Sequence, residues 1–251
     1  MDAQESIAAP KDYFAEPVAA RYDETSADMF SPVVLEPTVN VLADLADRGP
    51  ALEFGLGTGR VALPLSQRGI RVHGIELSPA MVARLRAKPG AAAIGVTLGD
   101  FASTKVDGTF GLVYLVFNTI MNLTTQDQQV ACFRNAAAHL RPNGRFLIEV
   151  MVPDLQRLPP GEAFRPFSVT KSHLGFDEYD VVNQGLISHH YLVADGGWES
   201  RSYPFRYVWP SELDLMARLA GMALRHRWSG WQRQPFTSES ASHVSVWEKT
   251  A

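Results

Sequence analysis

The chain has 251 residues, 46% hydrophobic and 20% charged, enough for one large domain or two small ones with a substantial core. Lys and Arg number 23 against 27 Asp and Glu; the net charge of −4 argues against a general electrostatic grip on nucleic acid or anionic lipid. The single cysteine, Cys132, excludes an intramolecular disulfide and disfavours a cysteine-built zinc site. With no secretory leader in residues 1–10 and no apolar run long enough to span a bilayer, the expected location is the cytoplasm.

Residues 11–47 carry a helical pattern, with Tyr13, Phe14 and Val18 first, then Val34, Leu35, Val39, Leu42 and Leu45 at spacings near three and four. Pro32 and Pro37 stand early in the second stretch, where a helix tolerates proline best. From Pro50 onward short apolar runs alternate with amphipathic ones. Strands are expected over residues 51–54, 70–75, 92–97, 110–117 and 145–150, and helices over 60–67, 79–87 and 126–140. The strands are almost continuously apolar, which suits a parallel sheet covered on both faces. This is a doubly wound α/β unit.

Past Pro153 the rhythm breaks. Residues 167–207 are rich in β-branched and aromatic side chains, punctuated at Gly175, at Asn183-Gln184-Gly185 and at Asp195-Gly196-Gly197. These three turns separate about four antiparallel strands. Ser211 then opens a helix, with Asp214 completing a weak capping box and Gly221 as its stop. Residues 222–228 and 243–247 read as two closing strands. The antiparallel block is therefore an insertion, because elements of the main sheet follow it.

The strongest chemical signal is Leu52-Glu53-Phe54-Gly55-Leu56-Gly57-Thr58-Gly59, a strand running into a glycine turn and a helix. Glycines there let the backbone approach a ligand closely, at the strand ends where open α/β sheets bind ligands. The spacing is G-x-G-x-G, not the dinucleotide G-x-G-x-x-G, and Glu53 precedes it. That acid would repel a pyrophosphate and suits a ligand carrying an ammonium group. Glu76, at the end of the second strand, can accept both hydroxyls of a ribose. Gly99-Asp100-Phe101 follows the third strand, an acid and an aromatic suited to an adenine amino group and ring. The fourth strand ends in Phe117-Asn118-Thr119.

On these residues the chain resembles the class I S-adenosylmethionine-dependent methyltransferases across roughly residues 13–249. The resemblance implies a seven-stranded, mostly parallel sheet whose last strand is antiparallel. It implies that Glu53, Gly55, Gly57 and Gly59 surround the methionine part of S-adenosylmethionine, that Glu76 binds the ribose, and that Leu77 and Met81 flank the adenine. Asp100 would receive the adenine amino group, Phe101 would add ring or backbone contact, and Phe117 and Asn118 would sit beside the sulfonium. Arg21-Tyr22-Asp23 resembles the tyrosine element that small-molecule methyltransferases fold over the cofactor, with Tyr13 in the same lid. Arg141-Pro142-Asn143-Gly144-Arg145 matches the usual turn before the fifth strand, with Asn143 where glycine is common; Asn tolerates that geometry.

Methyl transfer from a sulfonium is an in-line displacement, so positioning can supply much of the acceleration and a base is needed only where the acceptor must lose a proton. Candidate catalytic residues are Glu149, at the end of the fifth strand, the adjacent His189 and His190 of the insertion, and Tyr22. Glu149 has a competing reading as the residue that orders the cofactor loop. One of His189 and His190 must face each side of its sheet. His73 reads as packing, and His139 as a cation at a helix C-terminus. Tyr179, Tyr191, Tyr203, Tyr207 and Trp209 form either a substrate wall or a packed sheet. Arg225-His226-Arg227 with Arg233, beside Trp228 and Trp231, makes a local basic run that reads chiefly as a solvated face.

No Asn- or Asp-Pro-Pro-aromatic sequence follows the fourth strand, no Pro-Cys nucleophile is present, and no Tyr-x-x-x-Lys occurs. The expectation is an enzyme moving a methyl group from S-adenosylmethionine, leaving S-adenosylhomocysteine, to an oxygen or nitrogen of a small metabolite, as in natural-product tailoring. Its fold would be an α/β doubly wound seven-stranded sheet with an N-terminal helical lid over 1–48, a cofactor domain over 49–153 and 208–251, and an antiparallel β insertion over 154–207. The insertion covers the substrate or pairs two copies in a homodimer. No metal, membrane or nucleic-acid partner is expected. The alternatives are a cofactor-binding protein without transferase activity, a nicotinamide-dependent oxidoreductase and an RNA methyltransferase.

Overall fold

The apolar runs after Pro50 assemble into one sheet whose order brings the glycine loop to its middle. A computed structural model describes residues 12–194 and 197–250. The first strands are β1 (Ala51–Phe54), β2 (Val72–Glu76), β3 (Gly95–Leu98), β4 (Phe110–Leu115) and β5 (Leu140–Met151). The insertion supplies β6 (Phe164–Val169), β7 (His173–Asp180), β8 (Gly185–Ala194) and β9 (Gly197–Arg206), and β10 (Met222–Trp228) and β11 (Ser242–Lys249) close the chain. The helices are α1 (Val18–Thr25), α2 (Pro32–Ala46), α3 (Ala62–Gln67), α4 (Pro79–Arg86), α5 (Gln126–His139) and α6 (Pro210–Leu219).

The main sheet has the order β10-β11-β5-β4-β1-β2-β3. The pairs β1–β2, β1–β4, β2–β3 and β4–β5 are parallel, while β11 runs antiparallel to both β5 and β10. Chain order reverses beside β1, so a crevice opens over its carboxyl end. Every residue of β1 and β4 is buried, because helices cover both faces. On one face Phe133 of α5 meets Phe146 edge-on at 5.0 Å and Trp247 at 5.4 Å. On the other, Leu42 and Leu45 of α2 and Leu65 of α3 pack with Tyr114. Each such large side chain contributes about 1.5–3 kcal/mol by leaving water.

Most element boundaries follow the periodicity, and the departures have local causes. Residues 91–93 form a tight turn instead of the start of β3, because Arg86 Nη1 donates to the carbonyls of Ala91 at 2.6 Å and Ile94 at 2.9 Å. The helix after the glycine loop starts at Ala62, two residues later than expected. Asn143 holds φ 59°, the left-handed geometry its turn requires. His139 is not a helix-end cation. It is buried, its Nε2 accepts the Val106 N–H at 2.9 Å, and burial pushes its pKa down, so the ring is neutral. The weak capping box at Ser211 is also absent. Asp214 instead accepts from Arg227 Nη2 at 2.7 Å and Trp247 Nε1 at 2.9 Å, and Trp209 occupies the N-cap without a side-chain bond.

The insertion is a second sheet, β6-β7-β8-β9, antiparallel throughout. Gly175 is not a turn: it lies within β7 opposite His190, and a Cβ there would fall 2.3 Å from the Phe167 ring. The glycine makes room for that ring to cross the strand, and the actual turn falls at residues 170–172. The Asn183-Gln184-Gly185 turn is present, with Gln184 at φ 56°. Asp195 and Gly196 of the third expected turn lie outside the described residues.

One buried cation ties the insertion to the main unit. Arg206, 4% exposed at the end of β9, donates to Gln129 Oε1 of α5 at 2.5 Å, Glu212 Oε1 of α6 at 2.7 Å and Gln184 Oε1 at 3.2 Å. The Gln129 amide in turn donates to the carbonyls of Ile120, Leu123 and Arg206. Arg206→Met strips Glu212 of its cation, leaving it only the Gln126 and Gln184 amides, and removes a donor from the Gln129 and Gln184 oxygens, so unfolding by urea should show a loss of about 3 kcal/mol. An unchanged midpoint would show that the insertion is anchored elsewhere.

Candidate functional site

The crevice over β1 is a real cavity. Its volume is about 390 Å³, within the roughly 300–1,000 Å³ of small-molecule sites. It is lined by Gly55 and Gly57 after β1, by Glu76, Leu77 and Met81 at the β2–α4 junction, and by Asp100 and Phe101 after β3. Three consecutive strand ends therefore deliver their residues to one place.

Glu76 organises that junction. Its Oε2 accepts the Gly57 N–H at 2.6 Å and its Oε1 the Ser78 N–H at 2.9 Å. Burial pushes the carboxyl pKa up, and the N–H bonds from Ser78 and Gly57 oppose that rise. Gly57 holds φ +56° and Gly55 φ +72°, backbone geometry that L side chains rarely adopt; a Cβ on Gly55 would also fall 2.6 Å from Thr119 Cγ2. Asp100 Oδ1 accepts the Ala102 N–H at 2.8 Å, and Phe101 stacks on Phe54 with ring centroids 5.8 Å apart.

The N-terminal segment closes the cavity. Tyr13, Phe14 and Tyr22 line it, and the Phe14 and Tyr22 rings meet edge to face at 6.2 Å. Asp23 fixes the segment: Thr58 Oγ1 donates to it at 2.6 Å and Lys88 Nζ pairs with it at 2.5 Å. Ser78 Oγ donates to the Phe14 carbonyl at 3.1 Å. Burial raises the Tyr22 pKa, so its hydroxyl is a neutral donor at physiological pH.

Other expected residues stand behind the cavity wall. Gly59 packs against Leu85 and Leu63. Glu53 is 2% exposed and accepts the Tyr114 hydroxyl at 3.0 Å. Phe117 and Asn118 form a left-handed turn, φ 57° and 62°, that non-glycine residues enter at a cost. Both oxygens of Glu149 are engaged there, Oε2 by the Phe117 N–H at 2.9 Å and Oε1 by Trp231 Nε1 at 2.7 Å. Asn118 Oδ1 accepts the Met151 N–H at 2.7 Å. Glu149 thus holds the turn in place. Phe117 remains 40% exposed beneath the Arg60 guanidinium.

Neither inserted histidine lines the cavity. His189 bonds Ser202 Oγ at 2.9 Å and Glu178 at 3.1 Å on the outward face of its sheet. His190 stacks on His173 with centroids 5.2 Å apart and abuts Tyr203, and burial lowers its pKa. Tyr179 and Tyr207 join the core. The basic run is neutralised residue by residue: Arg225 pairs with Glu248, Arg227 with Asp214, and Arg233 with Asp44, while His226 stacks on Trp228. No helix among the described residues is long and apolar enough to cross a membrane, and no metal-binding cluster of His, Cys, Asp and Glu occurs among them.

Sequence reasoning missed the wall formed by Thr119, Asn122, Leu123, Thr124 and Gln128, and Pro204 from the insertion. One signal was available. Thr125-x-x-Gln128 is a capping box that fixes the start of α5, with Thr125 Oγ1 accepting the Gln128 N–H and Gln128 Oε1 accepting the Thr125 N–H.

Burial, opposed by the Tyr114 hydroxyl, raises the Glu53 pKa to about 8. Unfolding returns that carboxyl to its ordinary acidity. Between the ordinary value and about 8 the native chain holds a proton that the unfolded chain has released, so stability falls as pH rises through this window. Glu53→Gln keeps an acceptor for Tyr114 and has no proton to lose. Relative to wild type, the variant should gain on the order of 3–5 kcal/mol between pH ~5 and ~8 in urea unfolding. A constant difference across that range would place the Glu53 proton elsewhere.

Residues 51–144 match a family described as a methyltransferase domain. The CcbJ methyltransferase structure from Streptomyces caelestis is 37% identical, covering 93% of this chain and 96% of that one with a TM-score of 0.82. The cypemycin N-terminal methyltransferase of Streptomyces sp is 26% identical over 242 residues, 91% of this chain and 97% of its own length. The fold is shared by CalS10 of Micromonospora echinaspora, an amino pentose methyltransferase, at 20% identity and a TM-score of 0.65 over 91% of this chain and 92% of that one. The seven-stranded sheet, the glycine loop over β1 and the acids that meet it belong together: this chain is a member of the class I S-adenosylmethionine-dependent methyltransferases.

Proposed function

We propose that the chain methylates a nitrogen of a small, hydroxylated natural-product metabolite, with oxygen as the other acceptor atom the chemistry allows. The observation that carries the reading is the convergence of Gly55, Gly57, Glu76, Leu77, Met81, Asp100 and Phe101 on one cavity. The residues fit S-adenosylmethionine. Glycine backbone leaves the loop open, since a Cβ on Gly57 would meet nothing within 4 Å. Glu76 would take the ribose hydroxyls, because each carboxylate oxygen can accept a second bond beside its backbone N–H. Asp100 would take the adenine amino group, and Leu77, Met81 and Phe101 the ring. Glu53, behind the loop and protonated up to about pH 8 before any ligand binds, would release that proton to face the ammonium group, and Phe117 and Asn118 would form the wall nearest the acceptor.

When bound, S-adenosylmethionine supplies an electrophilic methyl group on a sulfonium. The chain's own task is then to hold, orient and dehydrate. Tyr13, Phe14 and Tyr22 close the cavity over β1, and Tyr22 offers a neutral hydroxyl. No histidine lines the cavity, and Glu149 is engaged with Phe117 and Trp231. An amine acceptor suits this set, because it can lose its proton to water before transfer and needs no buried base. The similarity to the cypemycin N-terminal methyltransferase supports nitrogen.

Calorimetric titration with S-adenosylhomocysteine should show binding by wild type. Glu76→Ala should weaken it by about tenfold or more, through loss of charge-assisted bonds and of the tie to Gly57. Absence of binding at millimolar ligand by folded wild type would sink the assignment of the cavity. Transfer of a labelled methyl group across a panel of amines and alcohols then separates nitrogen from oxygen acceptors.

Two copies pairing through the insertion also belong to this proposal. Leu174, Tyr191, Val193 and Trp198 share its outward face, with Val193 53% and Trp198 56% exposed. Light scattering after size exclusion should then give a dimer that Trp198→Glu shifts to monomer; a monomer at all concentrations refutes the pairing.

A further inference from the structure

The connection from β3 to β4 brings Asp100 and Phe101 to the cavity over β1 and crosses the sheet without a helix of its own. β1 and β2 are joined through α3, β2 and β3 through α4, and β4 and β5 through α5, whereas the described residues 99–109 form neither helix nor strand. β3 is also the edge strand of the main sheet, so these residues have no further strand to lean on. The backbone groups of such a crossing must find their partners elsewhere. We infer that Asn135 of α5, its amide oriented by Lys105, is the positioning residue that sets the Asp100–Phe101 corner, and with it how strongly the cavity prefers an adenine amino group. This rests on the S-adenosylmethionine reading above and extends it to two residues that do not themselves line the cavity.

Asn135 is 2% exposed, and both ends of its amide are employed. Its Nδ2 donates to the Phe101 carbonyl at 2.8 Å and to the Thr104 carbonyl at 2.9 Å. Its Oδ1 accepts from Lys105 Nζ at 2.7 Å. Carbonyls only accept and an ammonium only donates, so these partners fix the amide in one orientation. Between the two carbonyls the chain folds back on Asp100. The Ser103 and Thr104 N–H groups donate to the Asp100 carbonyl at 3.0 and 2.7 Å, and the Ala102 N–H donates to Asp100 Oδ1 at 2.8 Å. Asp100 is thus held on the same turn that Asn135 grips at both ends.

The same face of α5 continues the support. Gln128, Cys132, Asn135 and His139 recur at spacings of four, three and four, which makes one stripe along the helix. Gln128 lines the cavity together with Asp100 and Phe101. Cys132 is buried near Asp100, whose charge adds to burial in pushing its thiol up. His139 Nε2 accepts the Val106 N–H, so its Nδ1 carries the proton and donates to the Asn135 carbonyl at 2.8 Å. A carboxylate aimed at an amino group rejects an analogue with an oxygen in that place, because two acceptors then face each other. That rejection lasts only while the carboxylate cannot retreat, and the grip of Asn135 on the turn is what prevents it.

Calorimetric titration with S-adenosylhomocysteine and with S-inosylhomocysteine, whose base carries an oxygen in place of the amino group, reads this preference directly. Wild type should favour S-adenosylhomocysteine by about thirtyfold. Asn135→Ala should reduce the ratio to about threefold, and Lys105→Met, a change at an exposed side chain, to about tenfold. In both variants the loss should fall on S-adenosylhomocysteine, with S-inosylhomocysteine binding nearly as before. Should Asn135→Ala fail to fold, Lys105→Met decides alone. A wild-type ratio in either folded variant overturns the inference. If both affinities drop together at that ratio, Asn135 is structural support and nothing more. Wild type that binds the two ligands equally overturns it as well, and leaves the cofactor assignment standing without the role given to Asp100. Wild type that binds neither removes the cofactor reading and the inference with it.

Discussion

The carboxylate of Glu76 joins two strand ends that the chain leaves far apart, and the cavity exists because of that join. Gly57 and Glu76 belong to successive βα units, yet the parallel order β4-β1-β2-β3 sets them side by side. The Gly57 N–H at 2.6 Å and the Ser78 N–H at 2.9 Å draw the glycine loop and the start of α4 onto one acid. Burial alone would favour a neutral carboxyl, and those N–H bonds shift the balance back toward the charged form. The acid is therefore both a structural clasp and a cavity-facing group. Because Ser78 also bonds the Phe14 carbonyl, the same junction carries the lid.

What could be read in the sequence is what local physics specifies. Continuous apolar runs fixed β1, β2 and β4 to within a residue or two, since a strand buried on both faces leaves no other pattern. The glycine spacing and the acids at successive strand ends located most of the cavity for the same reason: they sit where the fold always opens. Cross-strand and long-range partners were invisible. Gly175 looks like punctuation until the Phe167 ring is seen to lie over it. His139 looks like a helix-end cation until the Val106 N–H arrives from another loop to hold it neutral. Glu149 offers two readings in isolation. Its engagement by Phe117 and Trp231 depends on a residue in the final segment of the chain, which no spacing rule reaches.

The left-handed turn at Phe117 and Asn118 gives the molecule its division of labour. Two non-glycine residues in that conformation persist only where the surroundings over-determine them. Here Glu149 holds one N–H, the Glu149 carbonyl accepts the Asn118 N–H at 3.2 Å, and the Asn118 side chain ties to Met151. Ties on both sides make the turn a fixed support beside the cavity over β1. Thr119, which lines that cavity, fills the space a side chain on Gly55 would need, so the turn and the glycine loop constrain each other.

That arrangement separates what must stay constant from what can vary. Gly55, Gly57 and Glu76 come to the cavity from the ends of the buried strands β1 and β2, and Asp100 from the end of the edge strand β3. The insertion reaches that cavity through Pro204 and is joined to the main unit through Arg206, Gln129 and Glu212. Substitutions in β6 and β7 leave Glu76, Gly57 and Asp100 untouched, because neither strand lines the cavity over β1. Among the described residues no histidine lines the cavity over β1, so alignment of what it holds and exclusion of water are what its walls can contribute. Pro204 is then the point at which a change in the insertion reaches that cavity without rebuilding the sheet beneath it.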